Sequence, residues 1–198
     1  MAIKKSEIYN SLWKSCDELR GGMDASQYKD YVLTLLFVKY VSDKYESDPN
    51  ALIEVPEGGS FNDIVKFKSK KDIGEKINKV ISRLAEENDL SNVIDVADFN
   101  NEDKLGAGKD MVERLSKLVS IFEKIDLRAN RIDGDDILGD AYEYLMRHFA
   151  TESGKSKGQF YTPAEVSRIL AKVLGINQDT SQDKTIYDPT CGVLVLRK

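Results

Sequence analysis

Two short segments near the end of the chain hold residue types and spacings suited to binding a small molecule. Residues 158–163 read Gly-Gln-Phe-Tyr-Thr-Pro, and residues 188–192 read Asp-Pro-Thr-Cys-Gly. A glycine lets the backbone approach a ligand closely because it has no side chain. In open α/β sheets, ligands bind at the carboxyl ends of the strands. The two segments therefore predict a ligand site if a strand ends at Asp188.

The residues between these segments predict the helix and the strand that such a site needs. Thr162 to Glu165 reads as a capping box, with a threonine cap, a proline in the first turn and a carboxylate three residues after the cap. One apolar helical face follows, formed by Val166, Ile169, Leu170, Val173 and Leu174. Residues 175–177 end the helix with a glycine and an asparagine. After a polar link, residues 185–187 are β-prone, and Pro189 ends the strand because proline cannot donate to a sheet ladder.

The order of these motifs resembles the cofactor-binding half of an adenine-N6 DNA methyltransferase, namely the modification (methyltransferase) subunit of type I restriction–modification systems. The upstream sequence resembles the helical N-terminal domain of the same subunit, through Leu12-Trp13-Lys14, Leu19-Arg20-Gly21, Met23-Asp24, Tyr28-Lys29, Leu35 to Tyr40, Ser42-Asp43, Ile125-Asp126-Leu127 and Leu138 to Tyr144. In this family both late motifs line the pocket for S-adenosylmethionine. The resemblance therefore implies cofactor contacts at Gln159, Phe160, Tyr161, Thr162, Pro163, Ala164, Asp188, Thr190, Cys191 and Gly192.

The resemblance also implies a reaction and partners. The family transfers the methyl group of S-adenosylmethionine to adenine N6 in duplex DNA, and the base is flipped out so that its amino group meets the methyl carbon. Its partners are a DNA-recognising specificity subunit and a restriction subunit, and its helical domain is thought to close around DNA. No catalytic residue and no metal ligand of this chain is implied.

The sequence departs from the family after Gly192. The family continues with glycine-serine-glycine, further strands and an asparagine-proline-proline-aromatic motif that holds the flipped adenine, whereas residues 193–198 read Val-Leu-Val-Leu-Arg-Lys. The four prolines include no adjacent pair. We therefore expect a truncated modification subunit that transfers no methyl group alone and binds S-adenosylmethionine weakly or not at all.

Two alternatives remain open at this stage. The chain is either a fragment of the modification subunit or a non-catalytic helical module that binds the specificity subunit or DNA. An active methyltransferase would need its missing half from another chain.

Composition limits the class of protein. The chain has 198 residues, of which 41% are hydrophobic and 32% are charged, and its net charge is −5. These values suit a helical globular chain and argue against a protein that coats DNA by charge alone. Cys16 and Cys191 lack metal-ligand spacing, and the sequence shows neither a signal peptide nor a membrane span, so we expect a cytoplasmic protein without membrane contact.

The upstream sequence predicts a series of helices. Apolar stripes run through residues 8–19, 28–41, 73–84, 111–122 and 137–149, and capping boxes are predicted at Asp24 and Asp72. The tyrosines of the second stripe suit either a core helix, which we favour, or an aromatic surface for nucleic acid. The basic run from Val65 to Lys71 suits either a solvated loop, which we favour, or a phosphate contact. His148 has no partner at a catalytic spacing, so a structural role is expected.

The expected fold is mainly α. Residues 1–135 would form the helical N-terminal domain, and residues 136–198 would form the first helices and the strand of a Rossmann-like methyltransferase domain that depends on S-adenosylmethionine. The polar stretch from Arg128 to Gly134 is the predicted boundary. The apolar tail at residues 193–196 is expected to dock on this chain's own helices or on a second copy, because such a run is otherwise a liability for self-association.

Overall fold

The computed structural model describes the secondary structure of residues 5–21, 23, 25–45, 51–128, 137–152, 162, 164–176, 185 and 187. The described part is helical and contains no strand, which confirms the mainly α prediction. Its helices are α1 (Lys5–Leu19), α2 (Ala25–Tyr45), α3 (Phe61–Val65), α4 (Ile73–Glu87), α5 (Glu102–Leu105), α6 (Lys109–Glu123), α7 (Ile137–Glu152) and α8 (Ala164–Val173). The predicted strand at residues 185–187 includes Ile186, which lies outside the described residues.

The chain divides into two compact units, residues 1–141 and residues 142–198. The first unit is built around α2 and α6. Helix α2 packs against α1, α3 and α6, and α6 packs against α1 to α5. The expected boundary between residues 128 and 134 lies almost wholly outside the described residues, so the domain limits stay a prediction.

Helix α2 is buried on most of its circumference, as its apolar sequence predicts. Its core side chains include Tyr28, Tyr31, Val32, Leu35, Leu36, Val38 and Val41. Tyr28 and Tyr31 are buried, as the interpretation of these tyrosines as core residues requires, whereas Tyr40 and Tyr45 are only partly buried. Tyr31 also meets Phe99 edge to face, with ring centroids 5.1 Å apart, a geometry that aromatic quadrupoles favour.

The stripes predicted for α4 and α6 face the core. The buried set is Ile73, Ile77, Val80, Ile81 and Leu84 in α4, and Met111, Leu115, Leu118, Val119 and Phe122 in α6. Gly74 brings the first turn of α4 against the backbone of Phe99. A Cβ at Gly74 would collide with the Phe99 carbonyl oxygen, so the absent side chain allows this close approach.

The N-terminal capping hydrogen bonds of two helices, α3 and α4, differ from prediction. Asp72 is the N-cap of α4, but its side chain makes no capping hydrogen bond, so the capping box predicted there is wrong. Its carboxylate instead lies 3.7 Å from Lys76 Nζ, one turn along the helix. A capping box that was not predicted begins α3, where Ser60 and Asp63 bond reciprocally. The cap predicted at Asp24 lies outside the described residues.

Helix α7 follows the predicted apolar pattern. Ile137, Ala141, Leu145 and Phe149 are buried, as is Met146. The ring of His148 lies 4.4 Å from that of Tyr144, centroid to centroid, at a tilt of 58°. This contact is compatible with the structural role expected for His148.

Candidate cofactor segment and helical surfaces

Only two of the ten predicted cofactor contacts fall among the described residues. Thr162 is half-buried and lies two residues before α8, and Ala164 is the first residue of that helix. The remaining contacts lie outside the described residues, namely Gln159, Phe160, Tyr161, Pro163, Asp188, Thr190, Cys191 and Gly192. The helix predicted to follow the first motif is therefore present, while the pocket itself stays a prediction.

Helix α8 carries its apolar stripe on the outside. Val166, Ile169, Leu170, Val173 and Leu174 are all exposed, at positions i, i+3, i+4, i+7 and i+8. The buried positions of the helix are small residues, Ser167 and Ala171. Glu165, Arg168 and Lys172 are exposed as well. The helix thus presents apolar and charged faces to its surroundings and buries a narrow small-residue face.

In the first unit, a surface groove of about 640 Å³ runs along the outer face of α6. It is lined by Glu18, Ser69, Lys109, Val112, Glu113, Ser116, Lys117, Ser120, Ile121 and Lys124. Lys117 pairs with Glu113 at 2.8 Å, so lysine charge in the groove is offset by carboxylate charge. The groove therefore lacks the single-sign basic surface on which phosphate binding relies.

The basic run from Val65 to Lys71 is bound into the helical unit through several contacts. Lys66 pairs with Asp63 at 2.7 Å, and Lys68 Nζ lies 2.5 Å from a Glu123 carboxylate oxygen. Ser69 adopts φ +64°, and its backbone N–H donates to Ser116 Oγ at 2.9 Å. These contacts anchor the run to α3 and α6, while Lys66, Ser69, Lys70 and Lys71 are exposed, as the solvated loop favoured from the sequence requires.

An aromatic cluster with one cation lies at the end of α2. Lys44 Nζ donates to the Tyr40 hydroxyl at 2.8 Å and lies 5.1 Å from the ring centroids of both Tyr40 and Tyr45. The hydrogen bond to Tyr40 is the main cause that raises the pKa of Lys44. The cation is thus held by the tyrosines of its own helix.

Polar side chains of α2 hold distant loops of the first unit. Tyr31 Oη donates to the Asp98 carbonyl at 3.0 Å, and Thr34 Oγ1 donates to the Ile94 carbonyl at 3.1 Å. Ser42 Oγ accepts from the backbone N–H of Phe61 at 2.7 Å. Sequence analysis predicted the apolar face of α2 but missed this function of its polar side chains, because the partners are backbone groups far away in the chain.

Neither a metal site nor a membrane span is found in the part of the chain that the structure describes. No group of three or more His, Cys, Asp or Glu side chains has a metal-binding arrangement there. None of the helices in that part combines the length and the apolarity needed to cross a bilayer.

Comparison with protein families separates the chain into two segments. The family model for the HsdM N-terminal domain matches residues 8–122, which is more than half of the chain. The chain belongs to this family. A second family model, N-6 DNA Methylase, matches residues 133–196 and so includes both predicted cofactor motifs. The resemblance to type I modification subunits is thereby confirmed, with the two segments in the expected order.

Curated relatives of this HsdM-type chain are methylase subunits of type I restriction enzymes. The MpnII methylase subunit of Mycoplasma pneumoniae is 26% identical over 96% of this chain and 43% of its own length. The MjaIX subunit of Methanocaldococcus jannaschii is 26% identical over 94% of this chain and 38% of its own length. The MjaVIII subunit of the same organism is 44% identical over 29% of this chain. The chain thus spans less than half the length of the curated relatives that it matches along most of its sequence.

A solved structure has the same fold. The type I restriction–modification methyltransferase subunit from Streptococcus thermophilus superposes with a TM-score of 0.61 at 22% identity, covering 88% of this chain and 45% of the other. At this identity the likeness shows the fold of the HsdM-type chain.

Proposed function

We propose that this chain supplies the helical N-terminal domain and the first cofactor-binding segment of an adenine-N6 DNA methyltransferase. The observation that carries the proposal is the N-6 DNA Methylase match over residues 133–196, directly after the HsdM N-terminal domain match over residues 8–122. The methyl donor is S-adenosylmethionine and the acceptor is the amino group of an adenine flipped out of duplex DNA. The proposed domain limits are 1–135 and 136–198.

The proposed cofactor contacts are those that the family resemblance implies, at residues 159–164, at Asp188 and at residues 190–192. The start of α8 at Ala164, directly after the first motif, supports this arrangement. A helix N-terminus carries a partial positive charge and free N–H groups. Asp188 would hold its carboxylate at the end of a strand, where ligands of α/β sheets bind.

The proposed partners are a specificity subunit, a restriction subunit and duplex DNA. The specificity subunit would select the DNA site, as the family resemblance implies. The proposed compartment is the cytoplasm.

A second candidate function is a non-catalytic helical module that binds the specificity subunit or DNA. The observation in its favour is that the helices of residues 5–128 bury a core of their own, with Leu12, Leu35, Ile77, Leu118 and Phe122 fully inaccessible. Such a unit can fold and bind without the methylase segment.

Titration calorimetry with S-adenosylmethionine tests the cofactor contacts. We expect weak or no binding to the chain alone, since a pocket needs walls on several sides. Joined to the remaining methylase sequence of the Mycoplasma pneumoniae relative, the chain should bind the cofactor. Thr162→Ala and Asp188→Ala should then each weaken binding at least tenfold. Matched changes in the polar link, Thr180→Ala and Asp183→Ala, should leave binding unchanged, and equal losses in both pairs would contradict the proposal.

A further inference from the structure

A surface loop of the first unit, residues 88–98, holds two aliphatic side chains in solvent, and we call it the Val93 loop. Val93 is 64% exposed and Val96 is 60% exposed, whereas Ile94 and Ala97 of the same loop are buried. Single apolar side chains are common on protein surfaces, so the two valines alone do not indicate a binding surface. The fixed backbone of the loop, the charge around it and the cleft beside it supply the further observations.

The backbone of the Val93 loop is fixed by side chains of α2. Thr34 Oγ1 donates to the Ile94 carbonyl at 3.1 Å, and Tyr31 Oη donates to the Asp98 carbonyl at 3.0 Å. A loop that is held in one conformation before binding loses little freedom when a partner arrives, which lowers the cost of association. The two valines are therefore presented on a preorganised backbone.

The charge around the Val93 loop has one sign. Between Arg83 and Lys104 the sequence contains no lysine, arginine or histidine, and it contains seven acidic residues, namely Glu86, Glu87, Asp89, Asp95, Asp98, Glu102 and Asp103. Asp95 is half-buried and the other six are exposed. Within the part of the chain that the structure describes, none of the seven forms an ion pair, whereas Glu75 and Glu113 pair with lysines. Such a surface attracts a basic partner.

A cleft of about 170 Å³ lies between the Val93 loop and α4. Its lining residues are Asn78, Ile81, Ser82, Asp95, Ala97 and Asp98. Asp98 Oδ1 accepts from Asn78 Nδ2 at 2.7 Å, and Asp95 Oδ1 accepts from the backbone N–H of Asn92. Among the described residues, no donor is found for the second oxygen of either carboxylate. Two carboxylates with a spare oxygen each suit a guanidinium group, whose planar fork of N–H groups pairs with carboxylates.

We propose that the Val93 loop and its cleft form a docking surface for a partner protein that presents an arginine beside apolar side chains. The guanidinium group enters the cleft between Asp95 and Asp98, and the partner's apolar side chains cover Val93 and Val96. Apolar burial supplies affinity, while the surrounding carboxylates supply specificity and a fast encounter. Nucleic acid is the wrong partner for this surface, because carboxylates repel phosphates. The inference goes beyond the proposed function, since none of these residues lies in the segment at 133–196.

Peptide selection tests the chemistry of the partner. The probe is a library of random twelve-residue peptides displayed on phage, from which binders of the variant Val93→Ser/Val96→Ser are first removed. The remaining phage are then selected on the immobilised full chain. We expect the enriched peptides to share an arginine next to a branched aliphatic or aromatic residue. Absence of enrichment, or enriched peptides without arginine, would overturn the proposal.

Titration calorimetry with the most enriched peptide tests the residues of the surface. Asp95→Asn/Asp98→Asn keeps an oxygen acceptor on both side chains and removes their charge, so it should weaken binding roughly tenfold or more. The variant Glu7→Gln/Asp17→Asn is the matched control, since it removes two exposed carboxylates of α1 and should bind as the unaltered chain does. Equal affinity of the Asp95→Asn/Asp98→Asn variant and the unaltered chain would overturn the proposal.

Changes in the peptide test the same contacts without any effect on folding of the chain. Replacing the arginine by citrulline removes the charge at nearly constant shape, and it should weaken binding roughly tenfold or more. Replacing the apolar residues by serine should weaken binding as well, because the cover over the valines is lost. Undiminished binding of the serine peptide would show an acidic face that attracts any cation, and undiminished binding of the citrulline peptide would show a purely apolar contact. Either result would overturn the proposal.

A second copy of the chain is the other occupant to distinguish. If a second copy covers the valines, sedimentation of the chain alone will give a dimer that Val93→Ser/Val96→Ser converts to a monomer. We expect a mass that this variant does not change, and the opposite result would overturn the proposal. Val173→Ser, at an exposed valine of α8, is the matched control for the loss of an exposed aliphatic side chain, and it should leave peptide binding unchanged.

Discussion

The carboxylate of Asp43 in α2 accepts a hydrogen bond from the backbone N–H of Leu127 at 2.8 Å, across 84 residues of sequence. Its other oxygen accepts from Lys39 Nζ at 2.7 Å, and both side chains are nearly buried, at 10% and 12% exposure. Lys39 Nζ also lies 5.4 Å from the centroid of the Phe61 ring. Helix α2 therefore holds the backbone of Leu127, which lies six residues before the start of the N-6 DNA Methylase match.

Removal of the Asp43 carboxylate should destabilise the helical unit strongly. Asp43→Ala leaves the ammonium group of Lys39 buried without its partner and removes the acceptor of Leu127 N–H. Breaking a buried pair in this way costs about 3–5 kcal/mol. Urea unfolding at neutral pH measures the loss as a shift of the midpoint.

A surface ion pair provides the control for Asp43. Asp17 lies 3.2 Å from Arg20 with its side chain half-exposed, so Asp17→Ala should cost less than about 1 kcal/mol. In a Lys39→Met background, Asp43→Asn should lower the free energy of unfolding by less than it does in the unaltered chain. The reason is that Lys39→Met removes the ammonium group that Asp43→Asn would leave buried without its partner. A loss for Asp43→Ala no greater than that for Asp17→Ala would show that the buried pair does not hold the fold.

Tyr31 should make the stability of the unit depend on pH in the alkaline range. Burial, followed by the charges of Asp98 and Asp30, raises the pKa of Tyr31 to about 12. Because the folded pKa lies above the unfolded value near 10, the stabilisation is complete below pH 10 and is lost as the pH rises towards 12. Tyr31→Phe should cost about 1 kcal/mol at pH 7, from the lost hydrogen bond to the Asp98 carbonyl.

The test for Tyr31 is the difference in the free energy of unfolding between the unaltered chain and Tyr31→Phe, measured as a function of pH. Denaturant unfolding of the unaltered chain should lose stability relative to Tyr31→Phe between pH 10 and 12. Tyr187→Phe serves as the exposed control and should show no such difference. Parallel curves for Tyr31→Phe and the unaltered chain would contradict the burial of this phenol.

A side chain at Gly74 should weaken the contact between α4 and the loop that contains Phe99. Alanine favours a helix over glycine by about 1 kcal/mol, but its Cβ would collide with the Phe99 carbonyl oxygen. We expect Gly74→Ala to be destabilising by about 1–3 kcal/mol in a thermal melt. Glu86→Ala, at an exposed site of the same helix, should be neutral. Stabilisation by Gly74→Ala would indicate a looser packing of this turn.

Two buried helical serines differ in the hydrogen bonding of their hydroxyl groups. Ser15 Oγ donates to the Ser11 carbonyl at 2.8 Å, whereas Ser167 Oγ is buried with no hydrogen-bond partner found in the described structure. Ser167→Ala should be neutral or stabilising, because a buried hydroxyl without a partner carries a desolvation penalty of about 1–3 kcal/mol. Amide exchange in α8 measures this effect locally. Slower exchange in Ser167→Ala is expected, and faster exchange would mean that the hydroxyl contributes a bond.

The helices with a full apolar stripe were predictable from sequence, whereas the details of their ends were not. The stripes of α4 and α6 repeat over four turns, so the pattern alone identifies them. The five residues of α3 are too few for a repeat, and only the reciprocal bonds of Ser60 and Asp63 reveal its start. At Asp72, a cap residue followed three positions later by the carboxylate of Glu75 gave a wrong prediction of a capping box. A capping motif indicates which hydrogen bonds can form and does not require them.

The polar contacts of α2 were beyond sequence reasoning for a different reason. Tyr31 meets Asp98 and Asp43 meets Leu127, and in each case the acceptor or donor on the loop is a backbone atom. Every residue except proline has the same backbone groups, so no residue type indicates the partner. The two segments predicted to bind the cofactor lie within the N-6 DNA Methylase match, and their cofactor contacts stay a prediction.

The central claim is tested most directly by identifying the methylated nucleoside. The chain joined to the remaining methylase sequence is combined with a type I specificity subunit, DNA that carries its site and S-adenosylmethionine labelled in the methyl group, and the DNA is then hydrolysed to nucleosides. We predict label in N6-methyladenine with the joined chain, a loss of at least tenfold with Asp188→Ala, and none with the 198-residue chain alone. Label in cytosine, label from the chain alone, or full activity of Asp188→Ala would contradict the account.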